Sequence, residues 1–131
     1  MFLPTISPHD PNTVLELCDM TGAYISRDGG QSWRMFNLRS RASAFAFDPK
    51  DPQVIYAGNI ALWKSQDSGK TWSMIFPDPK KNTVECMRDD HAAAILSTDD
   101  PAYSTGRAGF IAVDPDDHSR VYAVFSNQRG A

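Results

Sequence analysis

Side chains able to do acid–base chemistry are spread unevenly along these 131 residues. Residues 82–118 hold eight acidic residues and two basic ones, whereas residues 27–81 hold nine basic and five acidic. Within the acidic stretch, Arg88-Asp89-Asp90-His91 puts a guanidinium, two carboxyls and an imidazole on consecutive positions, with Asp99-Asp100 and Tyr103 further on. Carboxyl and imidazole groups give and take protons near neutral pH once their surroundings tune them. Asp89, Asp90 and His91 are therefore candidate catalytic groups, and Arg88 a candidate substrate contact. The bland alternative is an acidic loop facing water, as most charged runs do. His91 could also ligate a metal. However, the three histidines (His9, His91 and His118) lack the H-x-H or H-x-x-H spacing that metal sites favour, so no metal and no other cofactor is expected. No G-x-S-x-G, C-x-x-C or phosphate loop is present.

Composition narrows the context. The formal charge is −3, with 41% hydrophobic and 22% charged residues, which is ordinary for a globular chain. Mild acidity argues against a nucleic-acid partner, which usually calls for a strongly basic face. No run of eighteen apolar residues exists, so no membrane-spanning helix is expected. The start, Met1-Phe2-Leu3-Pro4, lacks the basic region and apolar core of a secretory signal, which leaves the compartment open. Cys18 and Cys86 are too few for a disulfide scaffold, although they could pair if the acidic stretch folds back over residue 18.

A repeat organises the chain. Residues 26–33 read Ser-Arg-Asp-Gly-Gly-Gln-Ser-Trp and residues 65–72 read Ser-Gln-Asp-Ser-Gly-Lys-Thr-Trp, so S-x-D-x-G-x-[ST]-W recurs at an offset of 39 residues. Upstream of each box an Asp-Pro turn leads into an apolar strand: Pro8 to Val14, then Phe47 to Ile55. The turn occurs a third time from Asp114 to Tyr122. In the first two units the box Ser follows the first turn Pro by 18 and 16 residues. A third box would start near position 131, which suggests a chain cut inside its third repeat. About forty residues with four short strands is the size of a propeller blade.

The expected fold is all-β: a partial β-propeller of four-stranded antiparallel blades. Residues 1–40 form the first blade, 41–76 the second, 77–108 an inserted loop and 109–131 half of a third. Strands are expected at Thr5–Ser7, Thr13–Cys18, Ala23–Arg27 and Ser32–Asn37, then Ala44–Asp48, Val54–Gly58, Leu62–Gln66 and Thr71–Phe76, then Gly109–Asp114 and Val121–Ser126. The first strand of each unit, Ala44-Phe45-Ala46-Phe47 or Phe110-Ile111-Ala112-Val113, is apolar on both faces and is expected to be buried on both. The insertion is expected to be irregular, with a short helix over Met87–Ala94. A loop of that length is often functional.

The box has a structural explanation. Asp28 and Asp67 can accept bonds from following N–H groups and close an Asx-type turn. Gly30 and Gly69 supply positive φ. The Ser or Thr hydroxyl ties the strands together. Trp33 and Trp72 put large rings into the core between blades. Ser26 and Ser65 complete the motif, and a catalytic Asp within it is the lesser alternative.

These residues resemble the Asp-box, or BNR, repeat of sialidases, xyloglucan-active glycoside hydrolases, sortilin-type receptors and a photosystem assembly factor, all of them β-propellers. The resemblance covers nearly the whole chain as a fold. Cys18-Asp19-Met20-Thr21-Gly22-Ala23-Tyr24, with Pro8 to Asn12 upstream, looks closest to the first blade of the xyloglucan-active hydrolases. There, D-P-N-x-V-x-Y leads into an Asp-x-Gly-Gly-x-Tyr loop whose Asp is the catalytic base. The resemblance implies that role for Asp19, with Thr21 in place of the first Gly and Leu15 or a neighbour in place of the strand Tyr. The paired acid of that family lies on a second propeller. The arginine triad and Tyr nucleophile of sialidases have no counterpart here.

Antiparallel order sorts the loops onto two faces. Those joining strands one to two and three to four share the box face. Those joining strands two to three, and one blade to the next, share the other, with residues 19–22 and the insertion. Glycoside hydrolysis needs two carboxyls, ~5–5.5 Å apart for retention or ~6.5–9.5 Å for inversion. Asp19 with Asp89 or Asp90 is the candidate pair, and Tyr103 or Trp63 could stack on a sugar. The implied partners are a polysaccharide or glycan and the remaining blades of a parent protein, extracellular or periplasmic. The alternatives are a propeller binding module, as in sortilin-type receptors, an assembly factor, or a polysaccharide lyase using His91 or a Tyr with Arg88. With a blade face open at each end, the isolated chain is expected to be marginal, self-associating or dependent on partner sequence, and inactive alone.

Overall fold

The computed structural model describes residues 4–18, 22–87, 94–103 and 106–126, with only the backbone at 84–87 and 94–95. Strands β1 (Thr5–Ile6), β2 (Val14–Leu17), β3 (Ala23–Ser26) and β4 (Arg34–Phe36) form one four-stranded sheet in sequence order. Strands β5 (Ala44–Phe47), β6 (Ile55–Gly58), β7 (Leu62–Ser65) and β8 (Ser73–Phe76) form a second. Strands β9 (Asn82–Met87) and β10 (Ala94–Thr98) pair as a hairpin, and β11 (Arg107–Val113) pairs with β12 (Val121–Ser126) as the start of a third sheet. Every pairing is antiparallel. The fold is all-β, built from propeller-type blades.

Period-two alternation decides which neighbour each side chain meets. From the second blade, Phe45, Ile55, Ala57 and Trp63 pack with Leu15, Ala23, Ile25 and Phe36 of the first. The alternate residues Val54, Tyr56 and Leu62 pack with Ile111 of the third sheet. The second blade is thus a slab between two cores. Its layers meet closely at Gly58, where a Cβ would lie 2.6 Å from Ala108 Cβ, a separation real side chains essentially never show.

Three expectations are corrected. The insertion is not irregular. After a single 3-10 turn at Pro79–Lys81 it forms the β9–β10 hairpin, and Met87 pairs across to Ala94, so those two residues end strands rather than a helix. The strand buried throughout is β6, second in its sheet, not β5; β6 sits mid-sheet with a core on each side. On β11, Phe110 is 58% exposed, because the face it occupies has no blade against it among the described residues. Trp33 is also no core residue: it is 39% exposed, whereas Trp72 stacks on Phe36 of the preceding blade, ring centroids 5.0 Å apart. A box Trp packs backwards, and the first blade has no predecessor among the described residues.

Candidate functional site

The box face is knitted by short polar contacts. Asp28 Oδ1 accepts from Ser26 Oγ at 2.8 Å and Ser32 N at 2.8 Å, while Asp28 Oδ2 accepts from Ser32 Oγ at 2.5 Å. Asp67 repeats the pattern with Ser65 Oγ, Lys70 N, and both Thr71 N and Thr71 Oγ1. Gly30 N and Gly69 N donate to Ser26 Oγ and Ser65 Oγ, at φ of +93° and +82°. The Ser32 hydroxyl and N–H, then Ser26, hold the Asp28 carboxyl down at about 2; Thr71, then Ser65, pull Asp67 well below the usual carboxylate range. These carboxylates stay ionised and their lone pairs are spent on their own hairpins. That suits a turn clasp and leaves nothing for proton transfer.

The Asp-Pro turns lie beside the boxes. Gly29 N donates to Asn12 O at 3.0 Å and Ser68 N to Gln53 O at 2.8 Å. Contacts also run between blades. Arg34 Nη2 donates to Gly69 O at 2.7 Å, and Arg27 to Ser68 O. Nearly buried Asp48 accepts from Lys50 N and Asp51 N in its own turn, while His118 Nδ1 from the third sheet donates to its carboxylate at 2.9 Å. His9 Nε2 of the first blade donates to Asp48 O at 2.7 Å. Burial opposes ionisation of Asp48, but the Lys50 and Asp51 amides with His118 outweigh it and leave its pKa lowered. His9 and His118 both reach across to Asp48.

The opposite face gathers the connection from β2 to β3, the Asn59–Ala61 turn and the segments between blades. Its centre is Asn59, fully buried, which the sequence did not single out. Asn59 Oδ1 accepts from Ala61 N at 2.8 Å and Trp63 Nε1 at 3.0 Å, Nδ2 donates to Leu38 O at 3.0 Å, and its backbone oxygen accepts from Ala108 N at 2.8 Å. One residue therefore ties three segments together. An Asn following Tyr-Ala-Gly carries no signal of this in one sequence. The insertion closes onto the same face, with Tyr103 Oη donating to Ile60 O at 2.9 Å and its ring packed against Phe76 and Phe125. Burial pushes the Tyr103 phenol upward. Asp100 accepts from Asp78 N and Ala102 N, which with Lys81 lower its pKa and pin the hairpin base.

The expected site residues fare differently. Asp19, Arg88, Asp89, Asp90 and His91 lie outside the described residues. Tyr103 is on the expected face, with its hydroxyl engaged and its ring half-buried. Trp63 is only 8% exposed and its N–H is bound to Asn59, so its ring serves the core and offers little surface for stacking. Cys18 is a free, half-buried thiol, and the Cys86 side chain lies outside the described residues. Among the described residues the rim carries cations: Arg41 and Arg107, whose pKa is lowered by burial and by Arg41, with Arg39 at φ +62° nearby. A cleft of about 570 Å³ opens between the second blade (Trp63, Trp72–Met74), Arg39 and the start of the insertion (Pro79, Asn82, Thr83). Trp72 and Asn82 line it, and their Nε1 and Oδ1 are buried with no hydrogen-bond partner. No helix among the described residues is long and apolar enough to cross a membrane.

No protein-family profile matches the chain. It is 33% identical over 96 aligned residues to the xyloglucanase Xgh74A of Acetivibrio thermocellus, an alignment taking in 55% of this chain and 11% of that enzyme. The protein of that name from strain ATCC 27405 matches equally. The chain thus spans about a tenth of the curated relatives it matches. Among solved structures, an ancestral GH74 enzyme superposes with a TM-score of 0.55 over 92% of this chain and 21% of its own, at 17% identity, which establishes a shared fold.

Proposed function

We propose that this chain contributes blades to an Asp-box propeller of a carbohydrate-active hydrolase that cleaves polysaccharide by carboxylate acid–base chemistry, outside the cell or in the periplasm. The observation that carries the reading is the 33% identity to a xyloglucanase, joined to the blade fold common to this chain and a GH74 enzyme. Asp19 is the proposed base. In sequence it falls between β2 and β3, while the box aspartates are committed to their own turns. Asp89, Asp90 and His91 remain proposed partners for Asp19, and Arg88 a proposed sugar contact.

The test is Asp19→Ala in the longest polypeptide carrying this sequence, assayed for new reducing ends on xyloglucan and a panel of other polysaccharides. The expected result is a loss in kcat of roughly 10²–10⁴-fold with KM little changed. Undiminished turnover would remove Asp19 from the chemistry.

A second reading, a propeller that binds a glycan or peptide without cleaving it, draws on the described rim. Arg41 and Arg107 stand there, with Arg107 Nη1 donating to Arg41 O at 3.2 Å. Binding to the panel with no turnover by the unaltered protein would favour it.

A further inference from the structure

The cleft beside Trp72 and Asn82 adjoins a second one of about 420 Å³. Both are lined by Arg39, Trp63 and Trp72, and the second also by Arg34 of β4 and Lys70 of the box. The chain carries a net charge of −3, yet this groove holds Arg34 and Lys70 as well as Arg39, and no carboxylate among the described residues that line it. A cleft lined by one sign of charge focuses the field and draws in ions of the other sign. Arg34 gives one N–H to Gly69 O at 2.7 Å, and its guanidinium has others to give.

The groove wall also holds polar atoms whose hydrogen bonds are unmade. In the first box, Trp33 Nε1 donates to Gly30 O at 3.0 Å. In the second, the matching oxygen, Gly69 O, accepts from Arg34 instead, and Trp72 Nε1 is buried with no partner. Asn82 Oδ1 is likewise buried with no partner, and its Nδ2 donates to the Met74 thioether at 3.3 Å, a weak acceptor. Native interiors leave few such groups, and each calls for an explanation. A side chain held by so weak a bond turns readily, and a turn brings the Asn82 carbonyl into the cleft it lines. The groove thus offers a spare donor and a spare acceptor. A hydroxyl can accept from the one kind and donate to the other.

We propose that this groove binds an acidic oligosaccharide of the uronate type. Its carboxylates pair with Arg34 and Lys70, and its ring hydroxyls meet the Asn82 amide and the Trp72 N–H. A neutral glycan has nothing for the cations. An acidic peptide has the carboxylates but lacks the row of hydroxyls. Trp63 and Trp72 pack into the core between the blades, so they wall the groove rather than stack on the sugar. The inference rests on the charge of the groove and its unpaired atoms, and is independent of the hydrolase reading.

Isothermal titration calorimetry on the longest polypeptide carrying this sequence tests it with trigalacturonate, its methyl ester and triglutamate. Trigalacturonate is expected to bind, and to bind more weakly as salt rises. The methyl ester keeps the hydroxyls and loses the charge; triglutamate keeps the charge and lacks the ring hydroxyls. Each control is expected to bind at least roughly tenfold more weakly, since charge-assisted bonds and hydroxyl contacts both contribute. Lys70→Glu, at an exposed position, is expected to weaken trigalacturonate roughly tenfold, and Asn82→Ala roughly threefold. Lys70→Gln takes the place of Lys70→Glu if that variant fails to melt cooperatively. No binding of trigalacturonate, equal binding of either control, or an unchanged affinity in either variant would each overturn the inference.

Discussion

Asp67 shows how a side chain with catalytic potential is retired into structure. Its two oxygens accept from Thr71, Ser65 and Lys70, and these bonds hold it ionised far below the ordinary carboxylate range. A carboxyl whose pKa is depressed on folding stabilises the fold above its unfolded pKa, ~3.9, and loses that contribution as pH falls through the folded value. Asp28, at about 2, behaves alike. Unfolding followed by circular dichroism should therefore show stability falling below pH ~4. Asp67→Asn should melt lower at neutral pH and show a shallower acid decline; an unchanged profile would mean the clasp contributes nothing. The clasp was legible in sequence because Ser, Asp, Gly and Ser/Thr at that spacing have one economical arrangement. Its polarity across blades was not: Trp33 and Trp72 are the same residue in the same box, yet among the described residues only Trp72 has a predecessor, Phe36, to stack on.

At the scale of elements, the strands of the two complete blades fall where alternation and turns put them, within a residue or two at most ends. The hairpin β9–β10 was missed because Arg88 to Ala93 reads as a charged, alanine-rich helical stretch. The flanking runs Asn82–Met87 and Ala94–Thr98 show pairing only once brought together. Asn59 was missed for a related reason: a buried amide that joins three segments is defined by contacts distant in sequence. Its value is testable. Asn59→Ala would strip partners from Trp63 Nε1, Ala61 N and Leu38 O inside a closed environment. Stranding buried polar groups costs about 1–3 kcal/mol each, so a loss of at least ~2 kcal/mol is expected in urea unfolding. A change near zero would show that solvent reaches this turn.

In the whole molecule, labour divides between two faces. The box face is spent on turns and cross-blade clamps, of which His9–Asp48–His118 is the centre. The opposite face holds Gly22 just before β3, the Asn59–Ala61 turn and the anchored insertion. The repeat made this two-sided architecture readable in sequence, since antiparallel order alone assigns every loop to a side. Which rim residues meet a ligand was not readable, because that depends on how the insertion seats itself against the blades. The most direct measurement is a backbone amide map of the protein, by NMR, with xyloglucan oligosaccharide added. Shifts confined to the face of Gly22, Asn59–Ala61, Tyr103 and Arg107 are expected. Shifts centred on the box hairpins 26–33 and 65–72, or none at saturating sugar, would contradict this expectation.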